Sequence, residues 1–129
     1  MLCTDSSFLI DYLTEAGGGP AADFLDAHDD ESFYAPTIAL FEIYCGPTGN
    51  GTVPVERIAS LVDWLEPLPF TDAVAREAAR IRRELRETSR SLGTADVLIA
   101  ATTRQAGATL VTADSDFTTV DDLSVKTFR

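Results

Sequence analysis

Lysine is almost missing from this chain. Lys126 is the only one in 129 residues, and arginine supplies the rest of the ten basic side chains. Against them stand 21 carboxylates, for a formal net charge of −11. A field of that sign repels nucleic acid unless something local reverses it. Two readings meet the difficulty. A uniformly acidic, lysine-poor surface suits a halophilic cytosol, where salt also shortens the screening length. A bound divalent ion reverses the sign of its own pocket.

Histidine is also scarce: His28 stands alone, beside Asp29 and Asp30 near an expected helix end. A surface position is expected for it, and a serine triad is not. The cysteines are Cys3 and Cys45 only, too few for a disulfide framework, so reduced thiols are expected. No apolar run approaches membrane-spanning length, and no charged segment followed by an apolar one opens the chain. The expectation is a soluble, cytoplasmic protein without a membrane association. The length points to a single domain, 1–129.

What is present is a regular alternation. Met1–Thr4 reads as a buried strand, and Ser6 or Ser7 can cap a helix after it. The run 17–20, three glycines and a proline, ends that helix and starts another containing Phe24 and Leu25. It follows a helix and lacks a lysine, so it is no phosphate loop. Ser32–Ala35 reads as a strand stopped by Pro36. Thr37 then caps the apolar helix 38–44, and a polar loop spans Thr48–Thr52.

Helical spacing marks 54–65, through Val55, Ile58, Leu61, Val62 and Leu65. A short extended piece follows at 67–70. Thr71 or Asp72 caps a long helix to about Arg90, with Val74, Ala78, Ile81 and Leu85 as its inner stripe. A further helix covers 95–106, and strands are expected at 108–112 and 125–128. Alternating strands and helices imply a parallel sheet with helices on both faces. The binding site of such a fold lies outside the carboxyl ends of the strands.

Carboxylates fall there. Asp5 directly follows the first strand, and Asp114 and Asp116 follow the strand ending at Thr112. Asp96 lies in the first turn of its helix. Glu42 is set in the most apolar helix, where an unpaired buried carboxylate would cost several kcal/mol or be protonated. Asp5, Asp96, Asp114 and Asp116 each have a plainer use as a cap, dipole or turn residue, and Glu42 could face solvent if its helix exposes one side. Jointly they form an oxygen-only donor set, which suits hard ions such as Mg²⁺ or Mn²⁺. Ions so held serve phosphoryl chemistry.

At these residues the chain resembles the PIN-domain family, in particular VapC-type toxins of toxin–antitoxin pairs. The matching segments are 3–11 with Asp5, 38–46 with Glu42, 93–101 with Asp96 and 110–117 with Asp114 and Asp116. The resemblance covers essentially the whole length. It implies a three-layer α/β/α sandwich with a mostly parallel sheet. It implies a Mg²⁺ or Mn²⁺ cluster on Asp5, Glu42, Asp96 and Asp114, with Asp116 as a further ligand or an outer acceptor. Ser6 and Thr112 match hydroxyl positions near the metal. Many relatives carry Asn where this chain has Ser7, which bears on outer detail only. The implied activity is cleavage of single-stranded or loop RNA by metal-activated water. A homodimer and a cognate antitoxin are implied as well.

Arg76, Arg80, Arg83 and Arg90 recur at helical spacing, with Arg82 and Arg86 beside them. They form either a rail for RNA phosphates or a solvated face paired with Glu77, Glu84 and Glu87. Tyr12, Tyr34, Tyr44 and Trp64 are expected in the core or an interface rather than stacking on bases. Two other functions compete. A Mg²⁺-dependent phosphatase or phosphotransferase would use Asp5 as nucleophile, but Ser7 stands where its second Asp is usual. A catalytically silent module would hold metal or a partner without cutting.

Overall fold

The computed structural model describes residues 1–15, 17–47 and 51–129. Five strands form one sheet: β1 (Leu2–Thr4), β2 (Phe33–Pro36), β3 (Glu66–Leu68), β4 (Thr109–Thr112) and β5 (Ser124–Thr127). Their order is β3-β2-β1-β4-β5 and every pairing is parallel. The expected mostly parallel sheet is therefore wholly parallel. Six α-helices connect the strands: α1 (Ser6–Thr14), α2 (Gly19–Ala27), α3 (Thr37–Tyr44), α4 (Val55–Leu61), α5 (Asp72–Glu87) and α6 (Thr94–Gln105). A short 3₁₀ helix, Ser115–Thr119, lies between β4 and β5.

The topology follows from handedness. Right-handed crossovers from β1 to β2 to β3 put α1 to α4 on one face. The return from β3 across the sheet to β4 puts α5 and α6 on the other. This gives the α/β sandwich. Leu2, Cys3 and Thr4 of β1 are all buried, as a central strand covered on both faces requires. The chain reverses direction between β1 and β4, and their carboxyl ends flank the crevice where such sheets bind ligands.

Local sequence explains most boundaries. On α5 the stripe Val74, Ala78, Ile81 and Leu85 is buried throughout, and the Thr71 hydroxyl accepts the Val74 N–H at 3.3 Å. The cap of α1 is Asp5, not Ser6 or Ser7: its carboxylate accepts the Phe8 N–H at 3.0 Å. Pro36 does not stop β2 early but is its last residue, and its φ of −59° leads directly into α3. Thr37 accordingly opens that helix rather than capping it.

The helix expected over 54–65 ends sooner, at Leu61. Trp64 folds back to donate its indole N–H to the Leu61 carbonyl at 3.1 Å, satisfying one of the helix's last acceptors. The following extended piece is the edge strand β3, Glu66–Leu68. The part of the polar loop at 48–50 lies outside the described residues. Among the described residues, no helix is long and apolar enough to cross a membrane.

Candidate active site

Parallel pairing brings the first two acids together. Thr4 of β1 is in register with Val111 of β4, so Asp5 and Asp114 leave neighbouring strands at the same rim. The Asp5 carboxylate is 4% exposed, yet no cation pairs with it among the described residues. Hydroxyls and a backbone amide hold it instead. Thr112 donates to one oxygen, and Ser7 donates to the other at 2.7 Å, beside the Phe8 N–H. Burial still outweighs these donors and pushes the Asp5 carboxyl above its usual range, and nearby Asp114 adds to the shift.

Two hydroxyls also fix the bend that follows β4. Thr112 Oγ1 accepts the Asp114 N–H at 2.9 Å, and Ser7 Oγ accepts the Ala113 N–H at 3.0 Å. Asp114 in turn caps the 3₁₀ helix by accepting the Asp116 N–H at 2.8 Å. Asp116 is exposed. Thr112 thus bridges the Asp5 carboxylate and the Asp114 amide. Ser7, where many relatives carry Asn, joins Asp5 to Ala113 in the same way. Its offset of two residues from Asp5, the spacing of a side-chain turn, was the available signal.

Two more acids come from the helices. Asp96 lies in the first turn of α6 and Glu42 in the second turn of α3, and α3 packs against both α1 and α6. Ser6 donates to Glu42. Glu42 is half-buried, not sealed in an apolar helix: its neighbour Phe41 is 64% exposed, so α3 presents one face to solvent. Glu42 is thus neither fully buried nor without a hydrogen-bond donor.

Asp96 shows the convergence most clearly. Burial first, then the charges of Asp114, Glu42, Asp5 and Asp116, hold its carboxyl above the usual range. All five acids expected from sequence therefore share one field. Among the described residues none of the five is in an ion pair. Nor do three or more His, Cys, Asp or Glu side chains there stand close enough to bind a metal ion as they are. A hard dication is the partner that the oxygen-only chemistry of such carboxylates fits.

The arginines divide. Arg76 pairs with Asp72 at 2.9 Å, and Arg80 lies 3.9 Å from Glu77. Arg90 donates to the Thr119 carbonyl at 3.1 Å. Arg83 is exposed, with no ion pair or hydrogen bond among the described residues. Arg82 reaches the site's edge, donating to the Leu92 carbonyl at 2.8 Å and to Thr94 at the start of α6. The acids Glu77 and Glu84 are claimed mainly by Arg104, at 2.8 and 3.0 Å.

With this geometry the chain matches the PIN domain family over residues 2–123, and it belongs to that family. Solved structures agree in fold. VapBC2 from Rickettsia felis, bound to a DNA fragment from its promoter, aligns with a TM-score of 0.83 at 20% identity, covering 98% of this chain and 97% of that one. FitAcB from Neisseria gonorrhoeae gives 0.81 at 23%, with 97% and 96% covered. VapBC-5 from Mycobacterium tuberculosis, of the VapBC family of toxin–antitoxin systems, gives 0.67 at 26%, with 98% and 96% covered. No curated protein matches the chain.

Proposed function

We propose that this protein is a divalent-cation-dependent endoribonuclease acting as the toxin of a toxin–antitoxin pair. The observation that carries the reading is the shared field of Asp5, Glu42, Asp96, Asp114 and Asp116, none of which is in an ion pair among the described residues. Asp5, Glu42, Asp96 and Asp114 would hold Mg²⁺ or Mn²⁺, with Asp116 at the exposed margin. Such an ion supplies Lewis acidity toward a phosphodiester and eases deprotonation of water.

The residues of the chain do the positioning. Thr112 and Ser7 orient both oxygens of Asp5, and Ser6 orients Glu42. Arg83, exposed and in no ion pair among the described residues, would be free to meet an RNA phosphate. Arg76, Arg80 and Arg90 would add to the rail only by leaving present partners.

The toxin role is supported by the toxin–antitoxin structures the fold resembles. Exposed apolar side chains, Phe41 at 64% and Val55 at 49%, suit cover by an antitoxin or a second copy of the chain. A protein lying over Phe41 would sit next to Glu42.

The test is cleavage of labelled single-stranded RNA in Mg²⁺ or Mn²⁺, with EDTA as control, at low and high salt. Cation-dependent cleavage that Asp5→Asn and Asp96→Asn abolish, with the fold intact by circular dichroism, is the expected result. Intact RNA with hydrolysis of small phosphate esters would assign a phosphatase instead. Metal binding with neither activity would assign a silent module.

A further inference from the structure

The far end of the sheet carries a second concavity. It opens at the amino ends of β2 and β3, opposite the rim that carries Asp5 and Asp114, and its volume is about 780 Å³. That lies within the ~300–1,000 Å³ typical of small-molecule sites. Its wall is aromatic: Trp64 meets Tyr12 edge-on at 5.1 Å and Phe33 at 5.9 Å. The indole N–H is already given to the Leu61 carbonyl, so the ring offers a ligand its π system rather than a donor.

The rim is acidic. Asp29, Glu31, Asp63 and Glu66 line it, and among the described residues no lysine or arginine does. Among the described residues, Asp63 and Glu66 are in no ion pair, and Glu31 has only His28 Nε2 at 4.0 Å. His28 Nδ1 lies 2.8 Å from the Phe24 carbonyl, which can only accept, so that nitrogen carries the hydrogen.

An aromatic wall under unneutralised carboxylates selects a cation with an apolar stem. A hydrated metal ion gains nothing from the rings. Several carboxylates around one cavity favour more than one positive charge on the ligand. We propose that this cavity binds a small aliphatic polyamine, its methylenes against Trp64, Tyr12 and Phe33 and its ammonium groups on Glu31, Asp63 and Glu66.

Trp64 is the only tryptophan, so its emission reads the cavity directly. Spermidine titrated at constant ionic strength should change that emission saturably. The double variant Asp63→Asn/Glu66→Gln alters only exposed side chains and keeps Trp64. It should retain the wild-type circular dichroism and bind about tenfold more weakly. Mg²⁺ at matched ionic strength should not reproduce the signal. No saturable change overturns the proposal, as does an unchanged midpoint in the double variant, which would mark diffuse screening of an acidic surface. A lysine-containing peptide that binds where spermidine does not would give the cavity to a partner protein's side chain and overturn it too.

Discussion

The hydroxyl of Thr112 donates to the carboxylate of Asp5 across two neighbouring central strands, joining residues 107 apart in the chain. The same oxygen accepts the Asp114 N–H at 2.9 Å. One fully buried side chain thus holds the carboxylate of one proposed metal ligand and the backbone of another, and Asp5 cannot turn without breaking a bond to the sheet.

Thr112→Val keeps the shape and removes the hydroxyl. It leaves the Asp114 N–H without its acceptor and Asp5 with one donor fewer. A loss of about 1–3 kcal/mol of unfolding free energy is expected, read from urea denaturation. Cleavage should fall more than stability alone explains, because Asp5 and Asp114 lose their common support. Wild-type stability and activity would show that the bond does not matter.

Asp96 sets a pH dependence with a definite sign. Burial and its acidic neighbours hold its folded-state carboxyl above the usual aspartate range. A raised carboxyl contributes stability that is complete below the unfolded value and is lost as pH rises through the folded value. At neutral pH, in EDTA, charged Asp96 is therefore a burden. Asp96→Asn should unfold at a higher Tm than wild type near pH 7, with the gap closing as pH falls toward 3.8. A lower Tm at pH 7 would contradict the crowding of charge around α6.

The two thiols should behave differently. Cys3 is fully buried in β1, and burial pushes its pKa up to about 12, while Cys45 is exposed at the end of α3. Since the thiolate is the reactive form, Ellman's reagent on the native protein at mild alkaline pH should report one thiol promptly. The second should appear only on unfolding. Two prompt thiols would mean that β1 is not covered as described.

Arg104 ties α5, α6 and the turn after the 3₁₀ helix together through Glu77, Glu84 and the Asp121 carbonyl. Its side chain is 9% exposed, whereas that of Glu84 is 41% exposed. Breaking a fully buried pair costs ~3–5 kcal/mol, and solvent screening at Glu84 lowers the figure to about 2 kcal/mol here. Arg104→Gln should lose that much in a urea melt. Arg83→Ala, by contrast, should leave stability unchanged and raise KM for RNA with little effect on kcat.

The contrast between Arg104 and Asp5 shows what a sequence carries and what it hides. Asp5 and Asp114 are legible because an acid directly after a buried strand must emerge at one rim of a parallel sheet. The stripe Val74, Ala78, Ile81 and Leu85 is legible because its period is that of a helix. Arg104 is not legible: Glu77 and Glu84 lie 27 and 20 positions away, and only the packing of α5 on α6 joins them. The exposure of Glu42 is left open by the sequence for the same reason. Apolar neighbours in the chain do not tell which face of α3 meets solvent. Trp64 hid the early end of α4, since a side chain capping a carbonyl leaves no periodic trace.

The central claim is that Asp5, Glu42, Asp96 and Asp114 act together on one hard cation. Titration of Mn²⁺, followed by the loss of the free-ion paramagnetic resonance signal, addresses it without reference to any substrate. Saturable binding is expected in the wild type, and Asp96→Asn should weaken it beyond the ~10–100-fold that loss of an outer-shell partner costs. Equal affinity in the two proteins would mean that the ion is only screening a net charge of −11, and would contradict the site.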